Sequence, residues 1–143
     1  NYGAAKMGLV GLMQTLGIEG AKYDIKVNCL APTAGTRMLD GLIADDMKEA
    51  LAPGNVSPGL LALVSDHAPS RTILCAGAGS YEQAFVTMTQ GIHVGRSAQA
   101  AEAVAASWSS IADRTGEFVP GAGSEQGAHE LKKAGFVPAD GEA

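Results

Sequence analysis

Apolar residues recur at Met7, Leu9, Val10, Leu12, Met13, Leu16 and Ile18 in a stretch without proline, which predicts a helix from about Gly3 to Lys22. They occupy almost the whole helical circle, so both sides of this helix are expected to be covered. Gly8, Gly11 and the polar Gln14 interrupt the apolar run between Met7 and Leu16. A mid-helix glycine lowers stability by about 1 kcal/mol relative to alanine, so Gly8 and Gly11 are expected to mark close approach by another backbone. The segment Ile25–Ala31 predicts a short strand stopped by Pro32, whose nitrogen has no proton for a ladder.

Thr33 to Thr36 is a turn-rich link, and Met38, Leu39, Leu42 and Ile43 fit one short helix, with Asp45–Leu51 fitting another. Capping residues at Asn55 and Ser57 precede the apolar run Leu60–Val64, predicting a helix over Ser57–Asp66 that Ala68-Pro69 ends. Thr72–Ala76 predicts a second strand, followed by a turn at Gly77–Ser80. Ala100, Ala103, Val104, Trp108 and Ile111 place a helix over Ser97–Ala112 with Ser97 as its cap, and a last helix covers Glu125–Lys133, capped by Ser124 and closed by Gly135. Two strands among several helices are too few for a complete parallel sheet, which needs crossovers and cover on both faces. The chain opens on Asn1 and enters a helix at once. The expected fold class is therefore α/β: the C-terminal part of a Rossmann-like doubly wound parallel sheet, helix-rich, with N-terminal strands missing.

Composition narrows the function classes. A chain of 143 residues has room for one domain, and 19 glycines with only 5% aromatic residues imply helices packed through small side chains. A formal charge of −5 without a basic block argues against nucleic acid as a partner. No apolar run approaches the roughly 20 residues of a membrane-spanning helix, so no membrane association is expected. Cys29 and Cys75 sit in apolar surroundings and are expected to be buried reduced thiols, which points to a cytoplasmic setting.

Tyr2 and Lys6 are four residues apart, one above the other on a helix face. A phenol is a poor acid or base near neutrality, and a neighbouring ammonium favours its ionised form, so this pair can do proton-transfer chemistry. The surrounding sequence Asn1-Tyr2-Gly3-Ala4-Ala5-Lys6-Met7-Gly8-Leu9-Val10-Gly11-Leu12, then Ile18-Glu19, then Ile25–Pro32 resembles the C-terminal half of the short-chain dehydrogenase/reductase family. The resemblance implies a tyrosine proton donor and acceptor at Tyr2, with Lys6 as its partner and a contact to the nicotinamide ribose. Pro32-Thr33-Ala34-Gly35-Thr36-Arg37-Met38 and Cys75-Ala76-Gly77-Ala78-Gly79 are similar to the (3R)-hydroxyacyl-CoA dehydrogenase branch, the unit of multifunctional enzyme type 2. That similarity implies cofactor-binding roles for Lys6, Pro32, Thr33, Gly35 and Thr36, with Thr36 supplying the hydroxyl. The branch's Arg-Trp-x-Arg is replaced here by Phe85–Thr89, which weakens the implication of acyl-CoA specificity.

The family's glycine-rich phosphate turn, its ribose-selecting residue and its catalytic serine would all precede Asn1. The expectation is an NAD(P)-dependent oxidoreductase that interconverts a secondary alcohol and a ketone, with a 3-hydroxyacyl thioester as a candidate substrate. Residues 1–143 would form a partial domain with the nucleotide-binding half absent and no activity alone. The alternative is a noncatalytic assembly module, and under either reading the first helix is expected to make a homo-oligomer. Gly121–Gly127 imitates a dinucleotide fingerprint but follows no strong strand, and His67, His93 and His129 lack partners at metal-ligand spacing.

Overall fold

The computed structural model describes residues Asn1–Phe136. The chain divides into two compact units, Asn1–Phe85 and the residues from Val86 onward. In the first unit the opening apolar run forms α1, Tyr2–Gly20, and continues into a 3-10 turn at Ala21–Tyr23. After α1 come β1 (Cys29–Thr33), α2 (Asp45–Ala50), α3 (Ser57–Leu63), β2 (Ile73–Gly77) and β3 (Ser80–Ala84). β1 and β2 are parallel, joined by the crossover that carries α2 and α3, while β3 returns antiparallel to β2. No helix among the described residues is long and apolar enough to cross a membrane.

Pro32 lies inside β1 rather than beyond it. Cys29 N–H donates to Thr72 O at 2.8 Å, so the odd-numbered residues of β1 bond toward β2 and Pro32 turns its nitrogen to the open edge. The sequence also concealed β3: Ala78 and Gly79 both have positive φ, 50° and 76°, and close a tight hairpin whose second strand is polar and exposed.

A single polar side chain ties the two parallel strands together where they begin. The Asn28 amide donates to Pro69 O at 2.8 Å, and its oxygen accepts from Thr72 N–H at 3.0 Å. Thr72 is buried, so that amide has no water to turn to.

α1 packs on this sheet in the opposite sense to β1. Ile25 N–H donates to Gly20 O at 3.1 Å, Arg71 Nε donates to Gln14 Oε1 at 2.6 Å, and Cys29 Sγ lies 3.7 Å from Leu9 O. Contacts thus move back along the helix as the chain enters the sheet. Met13, Gly17 and Gly20 form its buried side, whereas Leu9, Leu12 and Leu16 are exposed, so the described residues cover one side of the helix and not both. Among the described residues nothing comes within 4 Å of a Cβ placed at Gly8 or Gly11. The close approaches come instead at Gly17, against Arg71, and at Gly20, where a Cβ would meet Ile25 at 3.0 Å.

In the second unit the predicted helix Ser97–Ala112 is two shorter ones, α4 (Ala100–Ala106) and α5 (Trp108–Ile111), and neither has a side-chain cap. Met88 and Phe118 form an antiparallel bridge. The last helix, α6, spans Ser124–Lys133; Gly123 occupies its cap position, and Glu125 accepts from Gly121 N–H at 2.8 Å in place of the cap expected from Ser124. Gly135 closes it as expected: Phe136 N–H reaches Leu131 O and Gly135 N–H reaches Lys132 O, the paired bonds of a glycine C-cap. Here Arg114 holds the Glu117 carboxyl below its ordinary range by direct hydrogen bonding, and Thr115 N–H does the same for Asp113. Cys29 and Cys75 are free thiols, half-buried rather than fully enclosed.

Asn28→Ala is expected to destabilise the chain by about 2 kcal/mol, because it strands the buried Thr72 amide, and urea denaturation followed by circular dichroism measures the loss.

Candidate functional site

On a helix of 3.6 residues per turn, Tyr2, Lys6, Met13, Gly17 and Gly20 fall within about 60° of arc. Tyr2 and Lys6 therefore continue the sheet-facing side of α1 beyond the point where packed residues end, and Tyr2 is 72% exposed. The two side chains meet, with Lys6 Nζ 5.4 Å from the centroid of the Tyr2 ring.

The other candidate residues share the end of the first unit that Tyr2 occupies. From its contact with Cys29, α1 rises about 10 Å from Leu9 back to Tyr2. Over the same course β1 advances about 13 Å from Cys29 to Thr33. Tyr2 and Lys6 thus stand at the carboxyl end of the parallel pair, from which Pro32, Thr33, Gly35 and Thr36 lead away. In open α/β sheets this is the end where ligands bind.

Gly35 closes the neck of a loop. Its N–H donates to Leu51 O at 2.6 Å, and the Lys48 carbonyl lies where a Cβ at this position would have to go. Between these ends, Thr36 Oγ1 accepts from Met38 N–H at 3.4 Å and starts a 3-10 turn at Arg37–Leu39. Asp40 and Lys48 form an ion pair across the loop. Thr36 therefore has a local structural task, although its hydroxyl proton is still available as a donor. The loop presents Met38, Leu42 and Met47 to solvent, Met38 being 85% exposed.

Sequence reasoning missed several contributors. Asn28 appeared there only as part of a motif, yet it clamps the strands beneath the site; a polar residue opening an apolar strand was the signal. Arg71 carried no signal, and its partner Gln14 showed only as a break in an apolar pattern. Among the described residues, no group of three or more His, Cys, Asp or Glu side chains is placed to hold a metal ion.

The donor set fits one end of a dinucleotide. The Lys6 ammonium and the Thr36 hydroxyl are exposed donors at the ligand-binding end of the sheet, suited to a ribose and a carboxamide. A diphosphate needs a glycine-rich turn between a strand and a helix N-terminus. Gly121–Gly127 runs into α6 with no strand immediately before it, so it does not provide that turn.

The mixed three-stranded sheet with its crossover helices is a partial Rossmann-like α/β fold. The homologues of this chain are short-chain dehydrogenase/reductases, including the dehydrogenase-bearing multifunctional enzymes of peroxisomes. A short-chain type dehydrogenase/reductase of Mycobacterium tuberculosis is 37% identical over 122 residues, covering 85% of this chain and 42% of that protein. The peroxisomal multifunctional enzyme type 2 of Mus musculus is 49% identical over 61 residues, 43% of this chain and 8% of its own length. Full-length peroxisomal multifunctional enzyme type 2 from Drosophila melanogaster superposes with a TM-score of 0.76 at 27% identity, over 92% of this chain and 24% of that one. The chain thus spans less than half the length of these relatives. No family model matches the sequence.

Gly35→Ala is expected to force the Lys48 carbonyl aside and open the loop neck, at a cost of about 1–3 kcal/mol. Limited proteolysis checks it: cleavage within residues 36–50 should speed up while the rest of the first unit keeps its resistance.

Proposed function

We propose that this chain contributes the proton-transfer helix and the strand-end loop of an NAD(P)-dependent short-chain oxidoreductase that interconverts a secondary alcohol and a ketone. The observation that carries the reading is the Tyr2–Lys6 pair, stacked at 5.4 Å on the exposed continuation of the sheet-facing side of α1. Residues 1–143 act as a partial domain, and polypeptide outside them supplies the nucleotide-binding half; alone, the chain does not turn over substrate. The similarity to the (3R)-hydroxyacyl-CoA branch supports a 3-hydroxyacyl thioester as substrate.

In the reductive direction Tyr2 Oη donates a proton to the substrate carbonyl oxygen, and the Lys6 ammonium stabilises the phenolate left behind. In oxidation Tyr2 takes the proton back from the alcohol. A bound nicotinamide supplies or accepts the hydride. With the cofactor bound, Lys6 would hold the ribose, Thr36 would donate toward the carboxamide, and Pro32, Thr33 and Gly35 would shape the adjoining backbone.

A second role is supported by the exposed stripe of Leu9, Leu12 and Leu16, which lies on one flank of α1 and leaves three large apolar side chains in water. We read it as the surface of a homo-oligomer, in which a second copy covers α1; taken alone, this surface would make the chain a noncatalytic assembly module.

In the protein that joins this chain to its nucleotide-binding half, Tyr2→Phe is expected to lower kcat by about 100-fold to 10,000-fold with cofactor affinity retained. Unchanged turnover in a spectrophotometric NAD(P)H assay would remove Tyr2 from the chemistry. In the same protein, Leu12→Lys combined with Leu16→Lys is expected to reduce the mass seen by light scattering to that of the monomer.

A further inference from the structure

Three unfavourable choices of residue converge on one contact. Gly17 weakens α1 near its C-terminal end, Gln14 interrupts its apolar pattern, and Arg71 holds a left-handed backbone at φ 62°, a conformation that disfavours any residue with a Cβ. Together they place the stem of Arg71 flush against Gly17, in space that a Cβ there would occupy, and bring Arg71 Nε to 2.6 Å from Gln14 Oε1 in a part-buried hydrogen bond. The Arg71 backbone is fixed in turn: its N–H donates to Val27 O at 2.7 Å, next to the Asn28 clamp on Thr72.

We infer that this contact sets the rotation of α1 and thereby aims Tyr2, so that Gln14 is a positioning residue for proton transfer; the inference rests on the role proposed for Tyr2. Among the described residues, the other hydrogen bonds between α1 and the rest of the first unit reach only the helix backbone, beside the packing of buried Met13. The bond from Ile25 N–H is to a backbone carbonyl at the last residue of the helix, and the Cys29 thiol lies at the long distance of 3.7 Å from Leu9 O. Gln14 projects from the flank of the buried side, about 90° from its centre, so its bond acts on a lever arm about the helix axis. A helix transmits twist as a rod. Rotating it by about 10° moves a side-chain tip by about 1 Å, and a misplacement of that size can lower a rate by ~100-fold. Tyr2 and Lys6 ride on the same rod, so their mutual geometry survives the rotation, and what changes is the aim of the pair as a unit.

The test uses the full protein that contains this chain. Gln14→Leu is expected to lower kcat at least 10-fold while KM for substrate and the apparent acid and base limbs of the pH–rate profile stay in place. Gln14→Glu, which keeps an acceptor oxygen for Arg71, is expected to restore at least half of the lost rate. Should Gln14→Leu fail to fold, Gln14→Asn keeps the amide but withdraws it by one methylene and is expected to give the same split between kcat and KM. Wild-type kcat in the folded Leu or Asn variant, or failure of Glu to restore rate, would overturn the positioning role. Tyr2→Phe separates the two levels: if it leaves turnover intact the proposed chemistry fails, whereas loss of turnover there with full rate in Gln14→Leu defeats this inference alone.

Discussion

The seating of α1 on the parallel strands is the constraint on which the rest of the first unit depends. One side chain, Asn28, holds the two strands in register where they begin, and Thr72, immediately before β2, is the buried partner that cannot do without it. The Arg71 backbone is tied beside that clamp, and its side chain reaches across to α1. Strand pairing, helix docking and the direction of Tyr2 are therefore one connected problem. The energetic scale of each bond is modest, about 1 kcal/mol apiece, but the bonds act in series.

The position of the candidate site follows from direction alone. A helix that leads into a strand by a short connection must run back along it, so the start of α1 and the end of β1 meet at one end of the unit. The residues from Pro32 to Thr36 sit there because the chain leaves the sheet there. The Gly35–Leu51 bond makes the following segment a closed loop rather than a loose excursion.

Much of this was legible in the sequence, and the exceptions have physical causes. The apolar run of α1, the two parallel strands and the glycine stop of α6 were visible because periodicity and turn chemistry are local. β3 was hidden because Tyr81, Glu82 and Gln83 lie on an exposed ribbon with no apolar alternation to betray it. Pro32 misplaced a strand end, since a proline excludes a strand only where its nitrogen must face a partner, and tertiary context decides that. Gly8 and Gly11 suggested close packing, but the tight contacts fell at Gly17 and Gly20, and spacing on a helix with apolar residues on every side cannot say which side meets the sheet. The Tyr2–Lys6 pair was legible as a pair; that its face is the sheet-facing one required the structure.

The placement of Pro32 also matters for solubility during folding. Along the outer margin of β1 the even-numbered positions point away from β2, and there Leu30 offers a donor and an acceptor while Pro32 offers only an acceptor. A stray strand drifting against that margin would find one of the two usual donors missing, whereas a neighbour whose own pattern allows for the gap loses nothing. A single imino acid thus works as a gatekeeper, discouraging edge-to-edge aggregation while leaving the margin open to a strand of matching register.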